Sequence, residues 1–210
     1  MNDVVKKNIS AYDLTVDQYS ENTKNLEEPE MEHRNKFLSL IPEGGRILDL
    51  GCGPGRDSKI FSDRGYDVIG VDLSVKTIEK AKQNVPNVVF KVMDFLSLDF
   101  EKEYFDGVWF NACLLCVEKK FASEIFQSIF NILVEKGIFF VSVKEGEGEG
   151  FRFDKRYNVE KYEAYYNVEE LLNILKSLNF LEIEVLKPNL KSTYHERQWI
   201  DIFCSKLSKN

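Results

Sequence analysis

The chain has 210 residues, 43% of them hydrophobic and 13% aromatic, so it can bury one substantial core and is not expected to be disordered. Its 28 Lys and Arg against 35 Asp and Glu give a net charge of −7, and this balance disfavours a nucleic-acid partner. No run approaches 18 consecutive apolar residues and the N-terminus lacks an apolar signal segment, so we expect a cytoplasmic protein without a membrane partner.

The first 45 residues predict a helical cap. They are highly charged, and Met31, Phe37, Leu38 and Ile41 are spaced to fall on one helix face before a segment with Pro and Gly ends the pattern. We therefore expect helical structure that leads into the first strand.

From Arg46 onwards, short apolar runs alternate with helical periodicity, which is typical of βα units around a parallel sheet. The predicted strands are 46–50, 67–72, 88–92, 105–110 and 137–143. The predicted helices between them are 57–64, 75–84 and 122–133.

The pattern changes after the fifth strand. Residues 144–166 mix Gly, charge and aromatic residues without a period, which predicts a long loop acting as a lid or substrate loop. A helix over 168–178 and strands over 181–186 and 199–206 follow. A short polar connection joins the last two strands, so we expect them to pair antiparallel. We see no repeat or linker, so residues 1–210 are interpreted as a single domain.

A glycine-rich turn follows the first strand. Gly51, Gly53 and Gly55 alternate with other residues, so the backbone can take positive φ and approach a ligand closely. Asp72 ends the second strand, 21 residues after Gly51, where a carboxylate can accept hydrogen bonds from both ribose hydroxyls. Arg56 follows Gly55 directly, and this spacing differs from the G-x-G-x-x-G of dinucleotide enzymes. The pattern indicates a nucleoside-type cofactor other than NAD.

These residues resemble the class I S-adenosylmethionine-dependent methyltransferases of the small-molecule type. The resemblance is carried by LDLGCGPG at 48–55, GVDLS at 70–74 and VMDF at 92–95, and it covers most of 10–143. It implies an α/β fold: a Rossmann-like three-layer sandwich with a seven-stranded, mostly parallel sheet in the order 3-2-1-4-5-7-6, strand 7 antiparallel. The implied cofactor is S-adenosyl-L-methionine, with S-adenosyl-L-homocysteine as product.

The resemblance also implies cofactor-binding roles for particular residues. The glycines of the turn, flanked by Asp49, would surround the amino-acid end of the cofactor. Asp72 would bind the ribose, Leu73 would pack on the adenine, and Asp94 and Phe95 would contact the adenine near its exocyclic amine. Tyr19, or its neighbour Tyr12, would close over the cofactor, although an aromatic staple that packs the cap is an equal alternative.

The fourth strand opens into Asn111 and Ala112, where ligands sit in open α/β sheets, and these are candidate contacts near the transferable methyl group. Relatives carry a histidine where Cys116 stands, so no catalytic base is identified. Cys113 and Cys116 lie among leucines without a second pair at zinc spacing, so we predict no metal site.

Other candidates have plain structural alternatives. His33 and His195 are interpreted as surface residues rather than catalysts. Polar and aromatic residues of the predicted lid are candidates for acceptor recognition, with a solvated loop as the alternative: Lys144, Glu145, Arg152, Tyr165 and Tyr166.

The sequence therefore predicts methyl transfer to a small-molecule acceptor by in-line displacement, in which positioning supplies much of the rate. Three alternatives stay open: a tRNA-modifying methyltransferase, a non-catalytic S-adenosylmethionine-binding regulatory module, and a nucleotide-dependent oxidoreductase. The acceptor and the oligomeric state do not follow from these residues.

Overall fold

The computed structural model describes residues 3–23, 30–188 and 198–208. Within them, nine strands and six α-helices succeed one another along the chain. The strands are β1 (Arg46–Leu50), β2 (Asp67–Asp72), β3 (Val89–Val92), β4 (Phe105–Asn111), β5 (Leu133–Lys144), β6 (Glu149–Asp154), β7 (Val159–Ala164), β8 (Phe180–Leu186) and β9 (Trp199–Lys206). The helices are α1 (Asp3–Thr23), α2 (Glu30–Ser39), α3 (Arg56–Asp63), α4 (Val75–Asn84), α5 (Ala122–Ile132) and α6 (Val168–Ser177).

Seven strands form one sheet in the order β3-β2-β1-β4-β5-β9-β8. The pairs from β3 through β5 are parallel, whereas β9 runs antiparallel to both β5 and β8. Both the predicted strand order and the antiparallel last strand are confirmed.

Helices cover both faces of this sheet. Because side chains alternate along a strand, Trp109, Phe140 and Phe203 face the layer of α2, α3 and α4, whereas Phe110 and Phe139 face α5 and α6. The two hydrophobic cores make a three-layer sandwich, as predicted. In the part of the chain that the structure describes, no helix has both the length and the apolar character needed to cross a bilayer.

The cap consists of two helices, and the second ends earlier than its apolar pattern suggests. α2 stops at Ser39, so Ile41 lies beyond it, yet both Ile41 and Phe37 are buried. A Cβ on Gly107 of β4 would overlap the side chains of Ile41 and Phe37. The absence of a side chain at Gly107 therefore lets the cap pack directly on the sheet.

β5 begins four residues before the predicted start at Gly137. Leu133 pairs with Phe105, but the register then shifts before Ile138 pairs with Gly107. The prediction identified the point at which regular pairing begins and missed the short irregular stretch before it.

The predicted irregular loop over 144–166 is different in the structure. β6 and β7 form a two-stranded antiparallel hairpin, and Asn158 takes a positive φ of 54° just before β7. Tyr162 and Ala164 are buried on one face of β7, and Lys161 and Glu163 occupy the other. The strand was not predicted because only Tyr162 and Ala164 are apolar on this face of β7, among charged residues.

Candidate functional site

A cavity of about 230 Å³ lies at the carboxyl ends of β1, β2, β4 and β5. Ten of the eleven residues predicted to bind a cofactor line it: Tyr19, Asp49, Gly51, Gly53, Asp72, Leu73, Asp94, Phe95, Asn111 and Ala112. The fold thus brings together residues from five separate segments of the sequence. Their individual roles stay predictions.

Gly55 does not line the cavity. It is the residue before α3 and has a φ of 89°, and a Cβ there would approach Phe90 and Val85 at 3.1 and 3.2 Å. Its left-handed backbone lets the chain turn into α3 while packing closely against side chains of α4 and β3. The structure therefore shows a packing role for Gly55, and its predicted contact with a cofactor stays a prediction.

Gly51 and Gly53 shape the cavity wall differently. Both have positive φ, 74° and 54°. A Cβ on Gly51 would overlap the Cys113 side chain, whereas a Cβ on Gly53 would meet only the ring of Tyr19, at 3.8 Å. The lack of a side chain at Gly53 therefore leaves space beside the ring of Tyr19, whereas the side chain of Cys113 fills the space next to Gly51.

Asp72 is held at the end of β2 by backbone donors. The amides of Gly53 and Ser74 donate to its carboxylate oxygens at 3.2 and 2.9 Å. Burial nevertheless raises the pKa of Asp72 to about 6, since these hydrogen bonds only partly offset the loss of water. At neutral pH the carboxylate is ionised and can accept further hydrogen bonds.

Asp94 and Phe95 follow β3. The amide of Leu96 donates to Asp94 Oδ1 at 3.0 Å, which fixes the turn, and the ring of Phe95 meets that of Phe110 edge to face with centroids 5.4 Å apart. These contacts hold an aromatic ring and a carboxylate side by side at the cavity wall.

Asp57, in the first turn of α3, accepts hydrogen bonds from four side chains, and this cluster was not predicted from the sequence. The buried Arg34 donates to its Oδ1 at 2.6 Å and Arg56 at 3.0 Å, while the Trp109 indole and the Asn111 amide donate to Oδ2 at 2.8 and 3.3 Å. Burial alone would raise the pKa of Asp57, but Arg56 and Arg34 hold it well below its usual range. An acidic residue in a first helical turn was the available sequence signal.

Asp49 lies next to this cluster and behaves in the opposite way. Burial and the nearby charge of Asp57 raise its pKa to about 7, even though Ser58 Oγ donates to its carboxylate. Because the two carboxyl groups share one buried region, Asp57 takes the charge and Asp49 is easily protonated.

The end of β4 is strained. Ala112 has a φ of 57°, which is unusual for a residue with a side chain, and its amide donates to the carbonyl of Ser142 at 3.0 Å. Together with the hydrogen bond from Asn111 to Asp57, this geometry fixes the backbone that borders the cavity.

The two cysteines of the C-x-x-C segment have separate partners. Cys113 Sγ lies 3.1 Å from the carbonyl oxygens of both Gly51 and Asn111, and its single S–H donates to one of them, while Cys116 Sγ lies 3.1 Å from the hydroxyl of Tyr12. Burial raises the pKa of Cys113 well above its usual value and that of Cys116 to about 11, so both are thiols at neutral pH. These contacts explain the two residues without a metal.

Tyr12 and Tyr19 both line the cavity, with ring centroids 6.4 Å apart. Tyr157, from the β6–β7 turn, lies 6.1 Å from Tyr19. The tyrosines of the cap thus meet the hairpin, a contact that the sequence analysis did not foresee.

Of the five lid residues proposed for acceptor recognition, Lys144 alone lines the cavity, and it pairs with Glu163 at 2.5 Å. Tyr165 and Tyr166 are buried outside the cavity. Glu145 and Arg152 do not line the cavity either.

The hairpin supplies other charged residues. Lys161 is buried, with its ammonium 4.6 and 4.3 Å from the ring centres of Tyr12 and Tyr157 and 3.8 Å from Asp154. Burial lowers the pKa of Lys161. Only the side-chain alternation along β7 would have signalled that Lys161 and Glu163 share a face.

His33 is buried rather than on the surface, with 8% of its area exposed. Its Nδ1 lies 3.2 Å from Oδ2 of Asp201 on β9, and both residues line the cavity. The surface interpretation was wrong for His33 because α2 packs its ring against Phe140 and Phe203 of the sheet. His195 lies outside the described residues.

Comparison with known proteins agrees with this geometry. Residues 47–137 match the family model described as a methyltransferase domain. YqeM of Bacillus subtilis, to which methyltransferase activity is assigned provisionally, is 36% identical over 111 residues, 49% of this chain and 44% of its own. The chain is thus similar to methyltransferase domains over residues 47–137.

A second curated methyltransferase is similar over a stretch of the same length. Trans-aconitate 2-methyltransferase of Variovorax paradoxus is 25% identical over 52% of this chain and 42% of its own. The chain thus spans less than half the length of these curated relatives.

Solved structures of methyltransferases share the fold over more of the chain. A methyltransferase from Methanosarcina mazei superposes with a TM-score of 0.76 at 21% identity, covering 83% of this chain and 98% of its own. The 1,6-didemethyltoxoflavin-N1-methyltransferase of Burkholderia thailandensis, solved with its substrate and S-adenosylhomocysteine, has a TM-score of 0.67 at 21% identity, covering 95% and 88%. The protein from Methanosarcina mazei is an S-adenosylmethionine-dependent methyltransferase.

Proposed function

We propose that the protein transfers the methyl group of S-adenosylmethionine to a small-molecule acceptor by in-line displacement. The observation that carries this proposal is one cavity lined by two groups of residues. The first contains the turn at Gly51 and Gly53 and the carboxylate of Asp72. The second comes from α1, the β6–β7 hairpin and β9.

The first group fits the donor. Asp72 presents a backbone-held carboxylate suited to a ribose diol, and Leu73, Asp94 and Phe95 provide apolar and polar surface suited to an adenine ring. The missing side chain of Gly53 leaves room for a ligand beside the ring of Tyr19. When bound, S-adenosylmethionine supplies an electrophilic methyl group on a sulfonium.

The second group encloses the acceptor. α1 and the β6–β7 hairpin close the cavity through Tyr12, Tyr157 and Lys161. The protein can therefore exclude water and hold the reacting atoms in line. Positioning of this kind supplies on the order of 7–11 kcal/mol of a barrier. The enclosed shape and the net charge of −7 favour a small molecule over the tRNA alternative.

We further propose that the described residues form one domain in which the hairpin is the substrate-covering element. All four cysteines are free thiols, which favours the predicted cytoplasmic location.

The proposal is tested by binding and by transfer. S-adenosylmethionine and S-adenosylhomocysteine at about a hundred times their dissociation constants should stabilise the protein by about 2.7 kcal/mol in thermal unfolding, whereas NADH should not. Single-turnover release of S-adenosylhomocysteine with an acceptor panel then separates an enzyme from a non-catalytic binding module. Absence of any shift with both adenosyl ligands would overturn the proposal.

A further inference from the structure

Three polar residues form a row across neighbouring strands at the cavity. Asn111 of β4 pairs with Ser142 of β5, and Ser142 pairs with Asp201 of β9, so their side chains share one face of the sheet. All three line the cavity. Adjacent strands lie about 4.8 Å apart, which places Asp201 about 10 Å from Asn111.

An aromatic layer lies one step below this row. Trp109, Phe140 and Phe203 are register partners on the same three strands, and Trp109 stacks on Phe140 with centroids 3.9 Å apart. The ring of His33 packs 6.2 Å from the centroids of both phenylalanines. The imidazole is therefore held at the rim of an apolar floor, next to Asp201.

We propose that His33 is the general base of the acceptor site, that Asp201 positions its imidazole, and that the acceptor reacts through a hydroxyl oxygen. This inference rests on the proposed function and goes beyond it by naming a catalytic residue and a substrate class. Amine or thiolate acceptors need no base, so a built base indicates an acceptor that has a proton to lose.

The orientation of the imidazole suits a base. Nδ1 of His33 lies 3.2 Å from Oδ2 of Asp201, and we infer from this distance that the proton of the neutral imidazole resides on Nδ1 and the lone pair on Nε2. Within the described ranges, no residue hydrogen-bonds Nε2. An oxygen about 3 Å from the methyl carbon and about 3 Å from the imidazole fits within the distance that separates Asn111 from Asp201.

The surroundings of His33 lower the pKa of its imidazole. Burial is the main cause that lowers its pKa; Arg34 and Lys36 on the same helix lower it further and Glu32 opposes them, while Asp201 faces it from β9. A neutral imidazole at pH 7 can accept a proton.

The step balances without another reactant. As the acceptor oxygen forms its bond to the methyl carbon, its proton passes to Nε2 of His33, and the electron pair of the broken carbon–sulfur bond stays on the donor sulfur. Asp201 stabilises the imidazolium, which then releases the proton to water.

The experiment compares phenol, which reacts as a protonated hydroxyl, with thiophenol, whose thiolate is abundant near neutral pH. His33→Gln should slow single-turnover methylation of phenol by about 10²–10⁴-fold and change the rate with thiophenol less than about threefold. Asp201→Asn should slow phenol methylation less and move its pH profile. Ser39→Ala, at an exposed and uncharged position on the same helix, is the matched control and should leave both rates unchanged.

A readout without turnover accompanies the rates. Imidazole nitrogen resonances should show His33 neutral at pH 7 with its proton on Nδ1, and they should shift in Asp201→Asn. The sequence has two histidines, so His33→Gln assigns the signals. S-adenosylhomocysteine affinity, measured by calorimetry, should be equal in all variants and shows that each is folded. Should His33→Gln prove unstable, His33→Asn replaces it.

The outcomes separate this inference from the proposed function. Equal loss with both probes would assign His33 a structural role, and an unchanged phenol rate would remove it from the reaction. Wild-type protein that binds S-adenosylhomocysteine but never methylates phenol would overturn the hydroxyl class. Failure to bind S-adenosylhomocysteine would instead overturn the proposed function itself.

Discussion

The side chain of Asn8 bonds to Tyr162 as a neighbouring strand would. Its Oδ1 accepts from the Tyr162 amide at 2.7 Å, and its Nδ2 donates to the Tyr162 carbonyl at 3.3 Å and to the carbonyl of Cys116 at 3.0 Å. A single buried side chain of α1 thus ties the cap to the outer edge of the hairpin and to the loop after β4.

Asn8→Ala should therefore loosen the hairpin. Buried backbone groups of Tyr162 lose their partner, which costs about 1–3 kcal/mol for an unsatisfied group. We expect hydrogen exchange of the Tyr162 amide to accelerate at least about tenfold. Ser10→Ala, at an exposed position on the same helix, should change the free energy of unfolding by no more than about 0.5 kcal/mol. Unchanged exchange in Asn8→Ala would show that the hairpin is held by its own packing.

The carboxylate of Asp72 gives a second prediction. If it accepts ribose hydrogen bonds, Asp72→Asn should weaken S-adenosylhomocysteine binding by about 1.5–3 kcal/mol, a tenfold to hundredfold rise in the dissociation constant by calorimetry. Asp67→Asn, at the exposed start of the same strand, should bind normally. Equal affinity in the two variants would remove Asp72 from the donor site.

The same group predicts how binding depends on pH. Burial raises the pKa of Asp72 to about 6, and hydrogen bonds from the ribose favour its ionised form, so the bound state holds fewer protons than the free protein. Affinity should be constant well above pH 6 and fall by up to about tenfold per pH unit below it. Titrations between pH 5 and 8 test this, and Asp72→Asn should abolish the contribution of this group. An affinity that rises on acidification would contradict the assignment.

The glycine turn gives a third prediction. Gly51→Ala adds a Cβ at positive φ and also drives it into the Cys113 side chain, whereas Gly65→Ala, at a φ of 86°, meets nothing within 4 Å. Both should lose about 1–2 kcal/mol of stability for the left-handed backbone. Only Gly51→Ala should lose more than this in denaturant unfolding and also bind S-adenosylhomocysteine more weakly. Equal behaviour of the two variants would show that the turn has room to adjust.

Local patterns were sufficient to predict most of the sheet. Strands β1, β2 and β9 have the predicted bounds because each is a short segment rich in Ile, Val, Leu or aromatic residues. Asp72 was found because it ends such a run at a fixed distance from the glycine turn.

The parts of the site that were missed depend on long-range packing. His33 and Asp201 each look ordinary in their own segments and meet only because α2 packs against β9. Asp57 acquires its role from Arg34, which another helix buries beside it. Lys161 points into the cavity because β7 pairs with β6, a register that charged residues concealed. No spacing rule connects such pairs.

The ion pair between Arg34 and Asp57 gives the last prediction. Arg34 is fully buried and donates to Asp57 at 2.6 Å, so Arg34→Met should destabilise the fold by about 3–5 kcal/mol in urea unfolding at pH 7. Lys59→Met, which breaks an exposed pair with Asp63, should cost no more than about 1 kcal/mol.

The pH dependence of this effect has a definite sign. Because the folded pKa of Asp57 is depressed, its stabilisation is present above its unfolded pKa of about 3.9 and is lost as the pH falls through the lower folded value. The difference between wild type and Arg34→Met should therefore shrink in strong acid. A difference that stays constant on acidification would mean that Arg34 stabilises the protein by its packing rather than through the charge of Asp57.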